Sequence, residues 1–140
     1  MKNPDNGLAP HLLLGSKGEE AAAAYLQANN FQILERNWRH GKLELDLICM
    51  ENGTLVFVEV KTRKSASFGG PEGAITSAKR TRLIKCAMHW IHAKKLWNYP
   101  ARFDVLCLTG NGKNLSMEHY RNAFDFSQAL DYRNPAWQPW

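Results

Sequence analysis

The run LELDLICMENGTLVFVEVK, Leu43 to Lys61, constrains this chain more than any other part of it. Two apolar segments flank Asn52-Gly53, a pair that strongly favours a two-residue type I′ hairpin turn. With those residues at the turn centre, Glu51 faces Thr54. Counting back places Asp46 opposite Glu59, and Glu44 opposite Lys61. Strand side chains alternate with period two, so these four share one face with Ile48, Met50, Leu55 and Phe57. The other face carries Leu43, Leu45, Leu47, Val56, Val58 and Val60 and is apolar throughout. The hairpin is built for burial on both sides, with one polar corner. A one-residue slip of register would scatter that corner.

Opposed carboxylates repel, and loss of water makes the repulsion worse. Two arrangements offset the cost. Neighbours can neutralise the charge, Lys61 against Glu44 and a protonated acid elsewhere. Alternatively, a divalent cation can sit between the acids. Mg²⁺ is commonly held by one or two carboxylates, with water and substrate phosphate completing its octahedron. Such a centre activates water and stabilises in-line displacement at phosphorus, and an ammonium such as Lys61 beside it stabilises the developing charge. An isolated Glu-x-Lys is common and ordinarily means a surface ion pair. An Asp, a hairpin and then Glu-x-Lys on an apolar background is far more restrictive and favours the metal reading.

Around this hairpin the pattern is that of one α/β domain. SKGEEAAAAYLQANN reads as a helix from about Ser16, its Ala-rich body favouring helix and Asn29-Asn30 ending it. FQILER is a short strand. In TSAKRTRLIKCAMHWIHAKK, Leu83, Ala87, Trp90 and Ile91 recur at helical spacing. RFDVLCL and LSMEHYRNAF are strands around TGNGKN, a second hairpin signal. The order predicts a mixed central sheet flanked by helices. Residues 1–14 read as a flexible leader, 15–124 as the domain, and 125–140 as an irregular tail. The N-terminus lacks the apolar run of a signal peptide or membrane span, so a cytoplasmic protein without membrane attachment is expected. Cys49, Cys86 and Cys107 form no Cys-x-x-Cys and read as reduced structural thiols. The excess of 18 Lys+Arg over 13 Asp+Glu, net +5, suits a polyanionic partner.

Asp46 followed by Glu59-Val60-Lys61 resembles the PD-(D/E)xK signature of restriction-endonuclease-like nucleases. More closely, the chain resembles the YraN-like family of predicted endonucleases, relatives of archaeal Holliday-junction resolvases. The matching segments are GSKGEEAAAAYL, ERNWR, ELDLI, LVFVEVKTR, AKRTRL and RFDVL, spanning about residues 15–108 in the family's order. The resemblance implies an αβββαβ nuclease-like core and a metal-dependent phosphodiesterase site. One departure is Leu43, where the family's run begins with Gly. Glu44 therefore reads either as a site carboxylate or as the salt-bridge partner of Lys61, the second being slightly favoured.

Glu19 is the third acidic candidate. Ser16-x-x-Glu19 fits a capping box, a structural role. Yet Gly15, Glu19, Ala22 and Leu26 follow one helical stripe toward the core, and the resemblance implies that a helix-borne Glu completes the metal site. The expected catalytic set is thus Asp46, Glu59, Lys61 and Glu19, with Asp46, Glu59 and Glu19 holding Mg²⁺ or, in its place, Mn²⁺. Arg63, Lys64, Lys79, Arg80, Arg82 and Lys85 are the candidate phosphate contacts, against the ordinary reading of a solvated helix flank. His89 and His92 lack a zinc-site pattern. Among the tryptophans, Trp90 reads as core, while Trp137 and Trp140 are better placed for stacking. The expectation is a Mg²⁺-dependent endonuclease acting on DNA, including branched or structured DNA. The alternative is a nuclease-like fold that binds nucleic acid or a protein partner without cutting. A two-fold-symmetric junction would require a homodimer, and no stretch of sequence reads as its interface.

Overall fold

The structure, a computed structural model, describes residues 10–63, 75–111, 114–124 and 126. The elements run α1 (Pro10–Ala28), β1 (Gln32–His40), β2 (Leu43–Glu51), β3 (Thr54–Arg63), α2 (Ser77–Lys94), β4 (Ala101–Asn111) and β5 (Asn114–Phe124). The strands form one sheet in the order β1-β2-β3-β4-β5. All neighbours are antiparallel except β3 and β4, which are parallel and joined through α2. This is the mixed α/β arrangement expected from the element order. Lys64, the Gly-rich stretch after it and the tail with Trp137 and Trp140 lie outside the described residues. Among the described residues, no helix is long and apolar enough to cross a membrane.

Each helix covers one sheet face. Ala22 and Leu26 of α1 pack on Leu47, Cys49, Val56, Val58, Leu106 and Leu108. Leu83, Ile84, Ala87, Trp90 and Ile91 of α2 pack on Ile48, Leu55, Phe57, Phe103 and Val105. Burying apolar surface at roughly 25 cal/mol per Å² is the main force holding these layers together. α1 begins at Pro10 and not near Ser16, so residues 10–14 belong to the helix and not to a leader. Proline suits a first helical turn because its missing N–H has no partner to lose there. The helix stops where expected: Asn30 adopts φ 68°, and the Phe31 N–H returns to Leu26 O at 2.9 Å. β1 is longer than the short strand expected, reaching His40.

The Asn52-Gly53 turn behaves as its chemistry demands. Both residues have positive φ, 49° and 78°, and Glu51 pairs with Thr54. The register then holds through Leu47↔Val58 and stops. Beyond that pair β2 stays with β1, while β3 continues beside β4 as far as Arg63. Leu43 and Leu45 join the α2-side cluster, whereas Leu47 joins the α1-side one. The expected unbroken apolar face is therefore wrong at this end. The leucines of β2 change sides between Leu45 and Leu47, with Asp46 between them.

A second polar cluster is buried away from this split. Asp104, with no exposure, binds Arg102 Nε at 2.9 Å, His119 Nε2 at 2.8 Å and the Asn122 N–H at 2.9 Å. Arg102 and Arg121 also grip Glu51, and Tyr25 meets the other nitrogen of His119. Burial alone would raise the Asp104 pKa, but these partners outweigh it and hold the carboxyl below its usual range. Arg102 and Asp104, two residues apart on β4, thus pair structurally.

Candidate metal and phosphate site

The split between β2 and β3 exposes backbone that the ladder no longer satisfies. Asp46 fills part of that role: its Oδ2 accepts the Val60 N–H at 2.9 Å. This fixes the carboxylate against β3 beside Glu59, close enough for a hydrogen bond between the two acids. Burial first, then the Glu59 charge, pushes Asp46 up to about 7. Near neutral pH Asp46 consequently keeps part of its proton, the response expected of a buried carboxylate crowded by a second one.

Glu59 is only 6% exposed and draws two ammonium groups. Lys61 Nζ lies 3.9 Å from its Oε1, and Lys79 Nζ lies 3.3 Å from the same oxygen. Burial, then contact with Lys79, lowers the Lys61 pKa. Lys79, from the first turn of α2, belongs to the carboxylate cluster and was expected only among phosphate contacts. Its position follows from the cap: Thr76 Oγ1 accepts the Lys79 N–H at 3.1 Å, setting where the helix starts.

Glu44 is not the partner of Lys61. The two strands have parted before reaching that pair, and Glu44 instead meets Arg39 of β1 at 3.3 Å. Glu19 approaches from the other helix. α1 packs so closely on β3 that a methyl group at Gly18 would collide with Thr62 Cγ2. The next residue, Glu19, is raised in pKa by burial and by the Asp46 charge, while Asn37 hydrogen-bonds its carboxylate. Asn37, at φ 52°, occupies a left-handed conformation that asparagine tolerates well. Its role was missed from sequence, although an Asn inside a strand was a visible signal. Glu20 points elsewhere, to Arg36 at 2.7 Å.

An open cleft of about 440 Å³ lies over Asp46 and Glu59, walled by Lys42 and Leu43 on one side and Lys79, Arg82 and Leu83 on the other. Arg82 and Lys85 are exposed on α2, and Arg63 ends β3. Arg80 is half-buried, with its Nε unpartnered. Among the described residues, no three His, Cys, Asp or Glu side chains converge as a ready ligand cage. The donor set nevertheless fits Mg²⁺, which is characteristically held by one or two carboxylates and keeps several waters. Zinc in a structural site would ask for four N or S ligands.

These features define a mixed α/β protein with an acid–lysine cluster at a parted strand pair. The chain belongs to the family described as "Uncharacterised protein family UPF0102", whose model matches residues 18–108. It is 46% identical over 127 residues to a UPF0102 protein of Lawsonia intracellularis, covering 91% of this chain and 96% of that protein. A UPF0102 protein of Nitratidesulfovibrio vulgaris is 46% identical over 126 residues, with 90% and 94% covered. One from Nitrosomonas europaea is 45% identical over 113 residues, with 81% and 94% covered. A solved structure, "Crystal structure of SSO0001", overlaps at TM-score 0.43 with 18% identity, covering 86% of this chain and 57% of that one. So loose a likeness carries no conclusion.

Proposed function

We propose that this protein is a divalent-metal-dependent phosphodiesterase that cuts DNA, built on a restriction-endonuclease-like core. The observation that carries the reading is the Asp46–Glu59 pair, held where the β2–β3 ladder parts and opening into a cleft lined by Lys42, Lys79 and Arg82 as well as Glu44. Asp46 and Glu59, with Glu19 from α1, would hold Mg²⁺ or Mn²⁺. Bound there, the ion would supply a nucleophilic water and stabilise charge at phosphorus.

The chain's own groups have separable tasks. The Val60 N–H orients Asp46. Lys61 stands beside Glu59 with a lowered pKa, suited to holding or releasing a proton near an attacking water. Lys79 and Arg82 offer positive charge to a phosphate in the cleft. A cation in the first turn of a helix runs against the helix dipole, a local cost that an incoming phosphate would relieve. A two-fold-symmetric junction would call for two copies of the chain. Incubation of pure protein with labelled linear, flapped and four-way DNA, with and without Mg²⁺ or Mn²⁺, tests the reading. Metal-dependent cutting that Asp46→Asn abolishes is expected; no cutting under any of these conditions overturns it.

A second reading has its own support. Glu59 is already met by two lysines, and the described residues contain no three-ligand cage. A nuclease-like fold that binds nucleic acid without cutting would show that balance. It predicts DNA binding indifferent to Mn²⁺ and unchanged by Asp46→Asn.

A further inference from the structure

Three rings stack beside the cleft. His40, at the end of β1, lies 3.9 Å from His89 of α2, centroid to centroid, with planes 20° apart. Trp38 stacks on the same His40 at 6.0 Å and 13°. His40 is exposed, and Trp38 and His89 are half-buried, so the stack lies at the surface. The stack and the cleft share two elements, the β1–β2 connection and α2. The β1–β2 turn that presents His40 also supplies Lys42 and Leu43 to the cleft wall. On α2, Lys79, Arg82, Lys85 and His89 follow at spacings of three and four residues, which lie along one side of a helix.

That side of α2 has a chemical direction. At one end Lys79 contacts Glu59; at the other His89 contacts His40. The ends are separated by about 15 Å, at 1.5 Å of rise per residue. Lys42, Arg82 and Lys85 are unpaired with any carboxylate among the described residues, and Lys85 is near enough to His89 to lower its pKa. Glu44, which also lines the cleft, is met by Arg39. Cations spaced between the carboxylate pair and a stack of parallel rings match a short single strand, with phosphates on the cations and a base on the stack. A paired base in a duplex cannot offer its face to a protein ring, because its neighbours already cover it.

From this geometry we infer that an unpaired base a few nucleotides from the scissile phosphate adds to the exposed side of the Trp38–His40–His89 stack, which forms its platform. The protein's substrate class is therefore DNA with a single-stranded arm next to a duplex. This inference rests on the nuclease reading for the position of the scissile phosphate, but the platform itself is a binding property and can be measured without cutting.

The experiment is fluorescence anisotropy in EDTA, with a labelled duplex carrying either an oligo(dT) arm or an abasic arm of equal length. Both arms have the same phosphates, and only one has bases. Wild-type protein should prefer the oligo(dT) arm by roughly tenfold, the scale of one base–aromatic contact. His40→Ala and His89→Ala should lose that preference while keeping their affinity for the abasic arm, and His40→Phe should restore it. Equal binding of both arms by wild type overturns the platform, as does absence of binding to either. A preference left intact in both alanine variants also overturns it. If the preference is present but no metal supports cleavage, the platform stands and the nuclease reading fails. Cleavage without the preference separates them in the opposite direction.

Discussion

At the scale of single residues, Asp46 carries the most testable chemistry. Its folded pKa of about 7 lies above its ordinary value of 3.8. The folded protein thus holds a proton that the unfolded chain has released between those values. Metal-free stability from this group is complete below about pH 4 and falls as pH rises toward about 7. Asp46→Asn removes the effect. The variant should melt higher than wild type above pH 7, by about 1 kcal/mol or roughly 3–5 °C for a chain of this size. The gap should close near pH 4. Thermal melts across pH in EDTA check this, and a variant less stable at every pH would mean the carboxylate is structural. Lys61→Ala probes rate separately from binding. An ammonium that acts only in the transition state should lower the cleavage rate by roughly 100-fold with DNA affinity little changed. Equal loss of rate and affinity would make Lys61 a phosphate anchor.

Among the structural elements, the β2–β3 hairpin and α2 differ in how much their sequences reveal. The hairpin turn and its register were legible because Asn52-Gly53 and the period-two pattern are local signals. The parting of the strands after Leu47↔Val58 was not. It depends on β3 pairing with β4 while β2 remains with β1, a competition between distant segments. Hence Asp46 and Glu59 were recognisable as neighbours, while the pairing of Glu44 with Arg39 was hidden. Likewise α2 was evident from Leu83, Ala87, Trp90 and Ile91. The contact of Lys79 with Glu59 required knowing how that helix docks. The same docking leaves Arg82 and Lys85 as the exposed cations of α2 nearest the cleft. Replacing both with Gln should make the slope of log K against log salt shallower by about 0.9 for each phosphate no longer neutralised. Binding should weaken evenly across unrelated sequences. A slope equal to wild type would remove α2 from the interface.

For the molecule as a whole, two buried acid clusters respond to pH in opposite directions. Asp104 is held below its usual range by His119, Arg102 and the Asn122 N–H, which outweigh its burial. Its contribution is present above the ordinary carboxylate value and is lost as pH falls through its depressed folded value. Asp104→Ala should cost about 3–5 kcal/mol, because Arg102 and His119 are left without their buried partner. Denaturant melts will show whether that loss occurs; a change near zero would mean the network contributes little. Asp46 does the reverse, lowering stability as it ionises.

The most direct test of a cation-binding role for Asp46 and Glu59 is calorimetric titration of Mn²⁺ into wild-type protein and Asp46→Asn near pH 7. Saturable binding to wild type is expected, accompanied by proton release from Asp46, with weakened binding and no such release in the variant. Binding of equal strength in both proteins, or no binding to wild type, would contradict it.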